Sequence, residues 1–274
     1  MKNKLLENLK ISSPTELEDR LHHYDYKYYI ESDPEVTDSV YDELIKIYEE
    51  WTGEEWDTIG STPTEKSVKH EDKMLSLSKV WNDEKLEEWA EGYEKFIIQP
   101  KYDGTSLVAY YKDGKLIRAA TRGDGDSGMD ITMNAKKFIP TKLEEEFTGW
   151  VRGEAVMKLR TFKDNYSHKS NPRNFVSGLM NRKTPCEAHE DIDFIAFEMK
   201  DKNKKYGGYG WKLFGLEELG FQVSDWYVYQ SYEDCTLSEV VTWLEERRAD
   251  NILRYPCDGA VITIDDIKIQ EELG

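Results

Sequence analysis

Three short apolar runs, 96–101, 105–111 and 115–121, follow one another with little chain between them. Asp113-Gly114 separates the last two, and Asp-Gly between β-like runs is the signature of a tight hairpin. This stretch therefore reads as an antiparallel meander. Further strands are expected at 149–158, 192–199, 226–230 and 258–264, and helices near 160–166, 174–182, 210–219 and 236–249. Strands and helices mix without regular βαβ alternation, which predicts an α+β fold of largely antiparallel sheets flanked by helices.

The first 60 residues or so follow a different period. Ser13-Pro14-Thr15-Glu16 has the form of a helix start: Ser13 caps, Pro14 suits the first helical position, and Glu16 completes a capping box. Leu17, Leu21, Tyr24 and Tyr28 then recur at helical spacing. Asp33-Pro34 breaks that helix. A second is expected from about Asp38, with Val40, Tyr41, Leu44, Ile45 and Tyr48 on its apolar side. Residues 60–73 are polar and aperiodic and read as a linker. A helix is expected from Asn82 or Asp83 to about Tyr93. The chain thus divides into a helical hairpin domain, 1–66, and a larger mixed domain, 67–274.

The 274 residues carry a net charge of −18. That argues against autonomous, tight binding to the phosphate backbone of a duplex. Basic residues do gather between 150 and 185 (Arg152, Lys158, Arg160, Lys163, Lys169, Arg173, Arg182, Lys183), as either a local basic face or a solvated mixed-charge surface. Cys186, Cys235 and Cys257 are odd in number and lie far apart, and the five histidines show no ligand spacing. Neither a disulfide framework nor a structural metal site is expected. No apolar run approaches the ~18 residues that cross a membrane. The start lacks the apolar core of a signal peptide, so a cytoplasmic location is expected.

The chemistry concentrates around Lys101-Tyr102-Asp103-Gly104. Period two along a strand places Lys101 and Asp103 on one face, and Gly104 lets the backbone turn. A lysine with an acid beside it is a candidate nucleophile, once its surroundings deprotonate it. Ala120-Thr121-Arg122-Gly123-Asp124-Gly125-Asp126-Ser127-Gly128 is either a flexible hairpin loop or a phosphate cradle, with glycine-exposed N–H groups and an arginine suited to phosphate. Val151-Arg152-Gly153-Glu154 carries one acid in an apolar strand, which either suits a ribose hydroxyl or Mg2+ or faces solvent as most strand glutamates do. Asn171-Pro172-Arg173-Asn174 opens a helix and puts a cation at the positive end of its dipole, which calls for an anionic partner. Asp258-Gly259-Ala260-Val261-Ile262 repeats the turn-and-strand form of the Lys101 segment without its lysine.

These segments, in this order, resemble the NAD+-dependent DNA ligases. So do Pro63-Thr64, Met74-Leu75-Ser76-Leu77 and the amino-terminal block Tyr28-Tyr29, Asp33-Pro34-Glu35-Val36-Thr37-Asp38 and Tyr41-Asp42. The resemblance covers nearly the whole chain. It implies a nucleotidyltransferase domain of the ATP-grasp-like/DNA ligase kind behind a helical domain that grips the nicotinamide mononucleotide (NMN) half. It also implies that Lys101 attacks the α-phosphorus of NAD+, expels NMN and becomes a lysyl-AMP. On the same match Asp103 and Glu154 orient the ribose and the Mg2+ environment, and Arg122 and Arg173 meet phosphates or the nucleotide. Gln99, Ser76 and Leu77 join the nucleotide site, and Tyr28, Tyr29, Asp38, Tyr41 and Asp42 bind the departing half. AMP would then pass to the 5′-phosphate of nicked duplex DNA.

The chain departs from that pattern at four positions. Gln99 stands where relatives usually carry Glu against the adenine, and its carbonyl can still accept from the amino group. Tyr29 occupies a position that is His or Tyr. Asn181 stands for an Arg, and Thr263 for the lysine after the Asp-Gly strand. Losing one phosphate-stabilising group typically costs about 10²–10³ in rate. The expectation is therefore an adenylation module, as a fragment or as one subunit of a split ligase. It would reach DNA through a further C-terminal region or a partner subunit, with weak or no nick sealing alone. The alternatives are a non-catalytic NAD+-binding or assembly module and an adenylyltransferase with another acceptor.

Overall fold

The computed structural model describes residues 6, 9, 11–25, 27, 35–53, 56, 67–75, 77–80, 82–230, 236–249 and 254–273. The chain forms two compact units, 1–66 and 67–274.

In the first unit, α1 (Pro14–Asp25) and α2 (Asp38–Thr52) pair. Leu17, Leu21 and Tyr24 from α1 pack with Leu44, Ile47 and Tyr48 from α2, and Val40, Tyr41 and Ile45 lie partly buried beside them. The start of α1 differs in one respect from the expected capping box. Ser13 Oγ accepts from the Glu16 N–H at 3.2 Å, but the Glu16 carboxylate reaches back to Ser12, taking its N–H and its hydroxyl at 2.7 Å each. These bonds hold the Glu16 carboxyl below its ordinary range. Gly53 ends α2 in the left-handed conformation at φ 73°, which glycine adopts without a Cβ penalty.

The second unit is α+β. Its strands are β1 (Ser67–Lys69), β2 (Lys95–Tyr102), β3 (Thr105–Lys112), β4 (Lys115–Thr121), β5 (Ser127–Met129), β6 (Gly149–Met157), β7 (Ile192–Asp201), β8 (Gln222–Val223), β9 (Tyr227–Gln230) and β10 (Cys257–Ile264). Its helices are α3 (Asp83–Ala90), α4 (Thr132–Ala135), α5 (Leu159–Asn165), α6 (Pro172–Met180), α7 (Tyr209–Glu218), α8 (Leu237–Ala249) and α9 (Ile267–Leu273). A five-stranded sheet runs β4-β3-β6-β7-β8, a three-stranded sheet β10-β2-β9, and β1 pairs with β5. Among the described residues, all pairings are antiparallel except β7 with β8. Asp113 and Gly114 turn the β3–β4 hairpin at φ 50° and 72°.

β2 is the strand on which the site depends. Its alternate residues face different surroundings, as period two requires. Phe96 and Ile98 pack with Leu86 of α3, Leu237 and Leu244 of α8, and Ile264. Ile97 packs instead into the large core with Leu107, Ala109, Val151 and Leu213. Each such buried apolar side chain contributes about 1.5–3 kcal/mol. Gln99 and Lys101 continue the Ile97 face.

Two expectations fail locally. The stretch read as a linker contains β1, a strand too short for its period to be visible. Residues 70–74 after it are fastened rather than loose. Trp150 Nε1 donates to Asp72 Oδ2 at 2.7 Å, and Arg152, stacked 4.1 Å from the Trp150 ring, donates to the Asp72 and Lys73 carbonyls at 2.9 Å each. The helix expected to reach Tyr93 ends at Ala90.

The cap of α6 behaves as its sequence indicates. Asn171 Oδ1 accepts from the Asn174 N–H at 2.8 Å and Pro172 follows at the first position. Asn171→Ala is expected to lower stability by about 1 kcal/mol, read as a fall in denaturation midpoint at unchanged m-value.

Candidate active site

Lys101 lies in β2 opposite Gly259 of β10. The register slips between Cys257, opposite Tyr102, and Gly259, so Asp258 is an extra, bulged residue. A bulge re-aims the side chain it carries. Here the Asp258 carboxylate closes on Lys101 Nζ with both oxygens, at 2.7 and 2.9 Å. The sequence segment was noted for its form, but Asp258 received no role. Pairing register, which creates the bulge, leaves no mark in the sequence of one strand.

Asp103 does not share the lysine. Its N–H donates to Pro256 O at 2.9 Å, and its carboxylate pairs with Arg173 Nη1 at 3.2 Å. The anionic partner called for at the start of α6 is thus Asp103. Burial raises the Asp103 carboxyl, Arg173 and Lys101 oppose that rise, and Asp258 adds to it.

Glu154 sits mid-sheet in β6, opposite Ser106 of β3 and Ile195 of β7. Burial pushes its carboxyl up to about 7, against the Gly104 N–H that donates to it and the charges of Arg173, Arg122 and Lys101. Gly104 is required by the same approach, since a Cβ there would overlap the Ala155 carbonyl and Val156 Cγ1. The charges of Arg173 and Lys101 act on both Asp103 and Glu154, and that of Arg122 acts on Glu154.

Of the two readings of the glycine loop, the structure fits the hairpin turn. The Asp126 and Ser127 N–H groups donate to Asp124 Oδ1, the Asp124 N–H to Ser127 O, and the Gly125 N–H to Arg122 O. Those donors are engaged inside the turn, with Gly123 and Gly125 at φ 57° and 94°, and do not form an open phosphate cradle. Its exposed arginine, Arg122, remains available. Buried His70 fixes the loop from behind, joining Tyr110 Oη at 3.1 Å through Nδ1 and the Arg122 carbonyl at 3.0 Å through Nε2.

Several members of the 150–185 basic cluster are paired with acids: Arg152 with Glu198, Lys158 with Asp193, Arg160 with Asp164 and Arg173 with Asp103. The mixed-charge reading fits those four. Gln99 is buried beside Tyr209 of α7. Leu77 is exposed. Tyr28, Tyr29 and Ser76 lie outside the described residues. Tyr41 is partly buried in α2, and the Asp38 and Asp42 backbones belong to the same helix. Among the described residues, no three His, Cys, Asp or Glu side chains form a metal-binding group, and no helix is long and apolar enough to cross a membrane.

A lysine clasped by one carboxylate, with two more acids and two arginines close by, suits a covalent reaction on an anionic, phosphate-bearing substrate. Residues 63–274 match the family model of the NAD-dependent DNA ligase adenylation domain, and residues 10–54 that of the DNA ligase-like, N-terminal NAD+-binding domain. The DNA ligase of Caldicellulosiruptor bescii is 32% identical over 290 residues, covering 94% of this chain and 42% of that protein. The DNA ligase of Oceanobacillus iheyensis is 32% identical over 307 residues, covering 99% and 44%. Among solved structures, the ligase domain of M. tuberculosis LigD aligns at 16% identity and TM-score 0.40, over 64% of this chain and 51% of that one. The chain belongs to the NAD-dependent DNA ligase family, and it spans less than half the length of these two curated relatives.

Proposed function

We propose that this chain performs the nucleotidylation half-reaction of a DNA ligase, with NAD+ as the nucleotide donor. Lys101 Nζ attacks the α-phosphorus. A P–N bond forms, the P–O bond to NMN breaks, and NMN leaves with the bonding pair. The amine's protons pass to Asp258, 2.7 Å away, and to water. The observation that carries this reading is the grouping of Asp258, Asp103, Glu154, Arg122 and Arg173 around that one lysine.

Arg122 and Arg173 supply positive charge for the phosphates. Asp103 and Glu154 serve the ribose hydroxyls and a hydrated Mg2+. That ion usually binds through one or two carboxylates together with substrate phosphates, so it needs no preformed protein cage. Gln99 meets the adenine, with Ser76 and Leu77 flanking the nucleotide. Unit 1–66 serves the NMN half through Tyr28, Tyr29, Asp38, Tyr41 and Asp42, and unit 67–274 performs the chemistry. The AMP acceptor is the 5′-phosphate of nicked duplex DNA, in the cytoplasm.

Intact mass after incubation with NAD+ and Mg2+ tests the reading, beside ATP and Lys101→Ala controls. A gain of one AMP from NAD+ alone, absent in the variant, is expected. Binding of NAD+ with no gain in mass would sink the reaction and favour a silent binding module.

A further inference from the structure

Gln99 carries a contradiction in its hydrogen bonds. It is 3% exposed, at the middle position of the β2 face that runs Ile97, Gln99, Lys101. Tyr209 Oη lies 3.0 Å from Gln99 Oε1 and 2.6 Å from the Phe197 carbonyl oxygen. Gln99 Nε2 is buried and meets no acceptor. Burial keeps the Tyr209 phenol protonated, with the nearby Glu198 acting in the same sense and Thr263 opposing it.

A phenol has one proton to give. Given to the nearer acceptor, Phe197 O, it leaves two oxygens facing each other across 3.0 Å while an amide NH2 lies buried without a partner. An unsatisfied buried donor costs about 1–3 kcal/mol. Turning the amide by half a turn gives Nε2 an acceptor in Tyr209 Oη and ends the facing of two oxygens, and it leaves the carbonyl oxygen as the buried group that awaits a donor. Amide orientation follows from the surrounding network.

We infer that Tyr209, with its proton committed to Phe197 O, is a positioning residue that locks Gln99 with its carbonyl oxygen turned toward the nucleotide base, so that the site selects a 6-amino over a 6-oxo purine. The inference rests on the proposed nucleotide site, since Gln99 lies two residues from Lys101 on the same strand face. A carboxylate presents an acceptor whichever way it turns. An amide must be held, and Tyr209 holds it.

The test compares dissociation constants of NAD+ and nicotinamide hypoxanthine dinucleotide, by calorimetry on the full chain. The wild type is expected to favour NAD+ by tenfold or more (about 10¹–10²), because a buried acceptor facing a 6-oxo group is left unpaired. Tyr209→Phe should bring the ratio to within about threefold of unity, and Gln99→Glu in that background should restore it. The ratio is taken within each protein, so partial loss of folded material does not move it. Near-equal affinities in the wild type would overturn the orientation. A preference that survives in Tyr209→Phe would overturn the lock, and no binding of either dinucleotide would overturn both the inference and the site it rests on. The expected ratios without any AMP transfer to Lys101 would sink the reaction alone. AMP transfer with an unmoved ratio would sink only the amide assignment.

Discussion

Glu154→Gln is expected to slow AMP transfer to Lys101 by about 10²–10³, the usual cost of removing one group that organises the reacting phosphates, and to make the protein more stable above pH 7. The opposite signs share one cause. The Glu154 carboxyl ionises near its ordinary 4.5 in the unfolded chain and near 7 when folded, because burial disfavours its charge. Between those values the folded state keeps a proton that the unfolded chain has released. Stability therefore falls as pH rises from about 4.5 to 7, and the whole loss is present above 7. The difference corresponds to a ceiling of about 3 kcal/mol. Glutamine keeps the size of the side chain and an acceptor for the Gly104 N–H, and it never ionises. Chemical denaturation at pH 5 and pH 8 should show the variant gaining on the wild type only at the higher pH. In single-turnover assays the wild-type rate should carry an inflection near pH 7 that the variant lacks. A variant that retains the inflection, or gains no stability at pH 8, would remove Glu154 from this role.

What could be read from the sequence was local. The Asp113-Gly114 hairpin and the capped start at Asn171-Pro172 each need only adjacent residues, and both form as expected. Glu154 was visible as a lone acid in an apolar strand, and burial is what perturbs it. Features set by pairing across the chain were not legible. β1 is three residues long and exists through its partner β5. The glycine loop had the composition of a phosphate cradle, but Asp124 draws two of its N–H groups inward, an outcome that glycine spacing does not encode. Tyr209 reaches Gln99 across 110 residues of sequence.

Asp258 was likewise invisible as a partner of Lys101, and it yields the second large effect. Asp258→Asn is expected to slow AMP transfer by about 10²-fold, since a misplacement of about 1 Å can cost that much. The affinity for NAD+ should stay within about threefold, because the carboxylate holds the nucleophile and not the nucleotide. The melting temperature should barely move. Lys101 and Asp258 are 42% and 46% exposed, and an ion pair so open to water contributes about 0–1 kcal/mol. Rate and stability thus separate. The isosteric amide presents one acceptor to the ammonium where the carboxylate presents two, and its NH2 faces a like donor. Asp258→Glu keeps the charge on a longer arm and should recover part of the rate. The diagnostic comparison is single-turnover transfer at saturating NAD+ beside equilibrium binding for the three proteins. A rate within threefold of wild type in Asp258→Asn would mean that the bulge only closes the sheet. A parallel loss of affinity would mean that Asp258 meets the nucleotide itself.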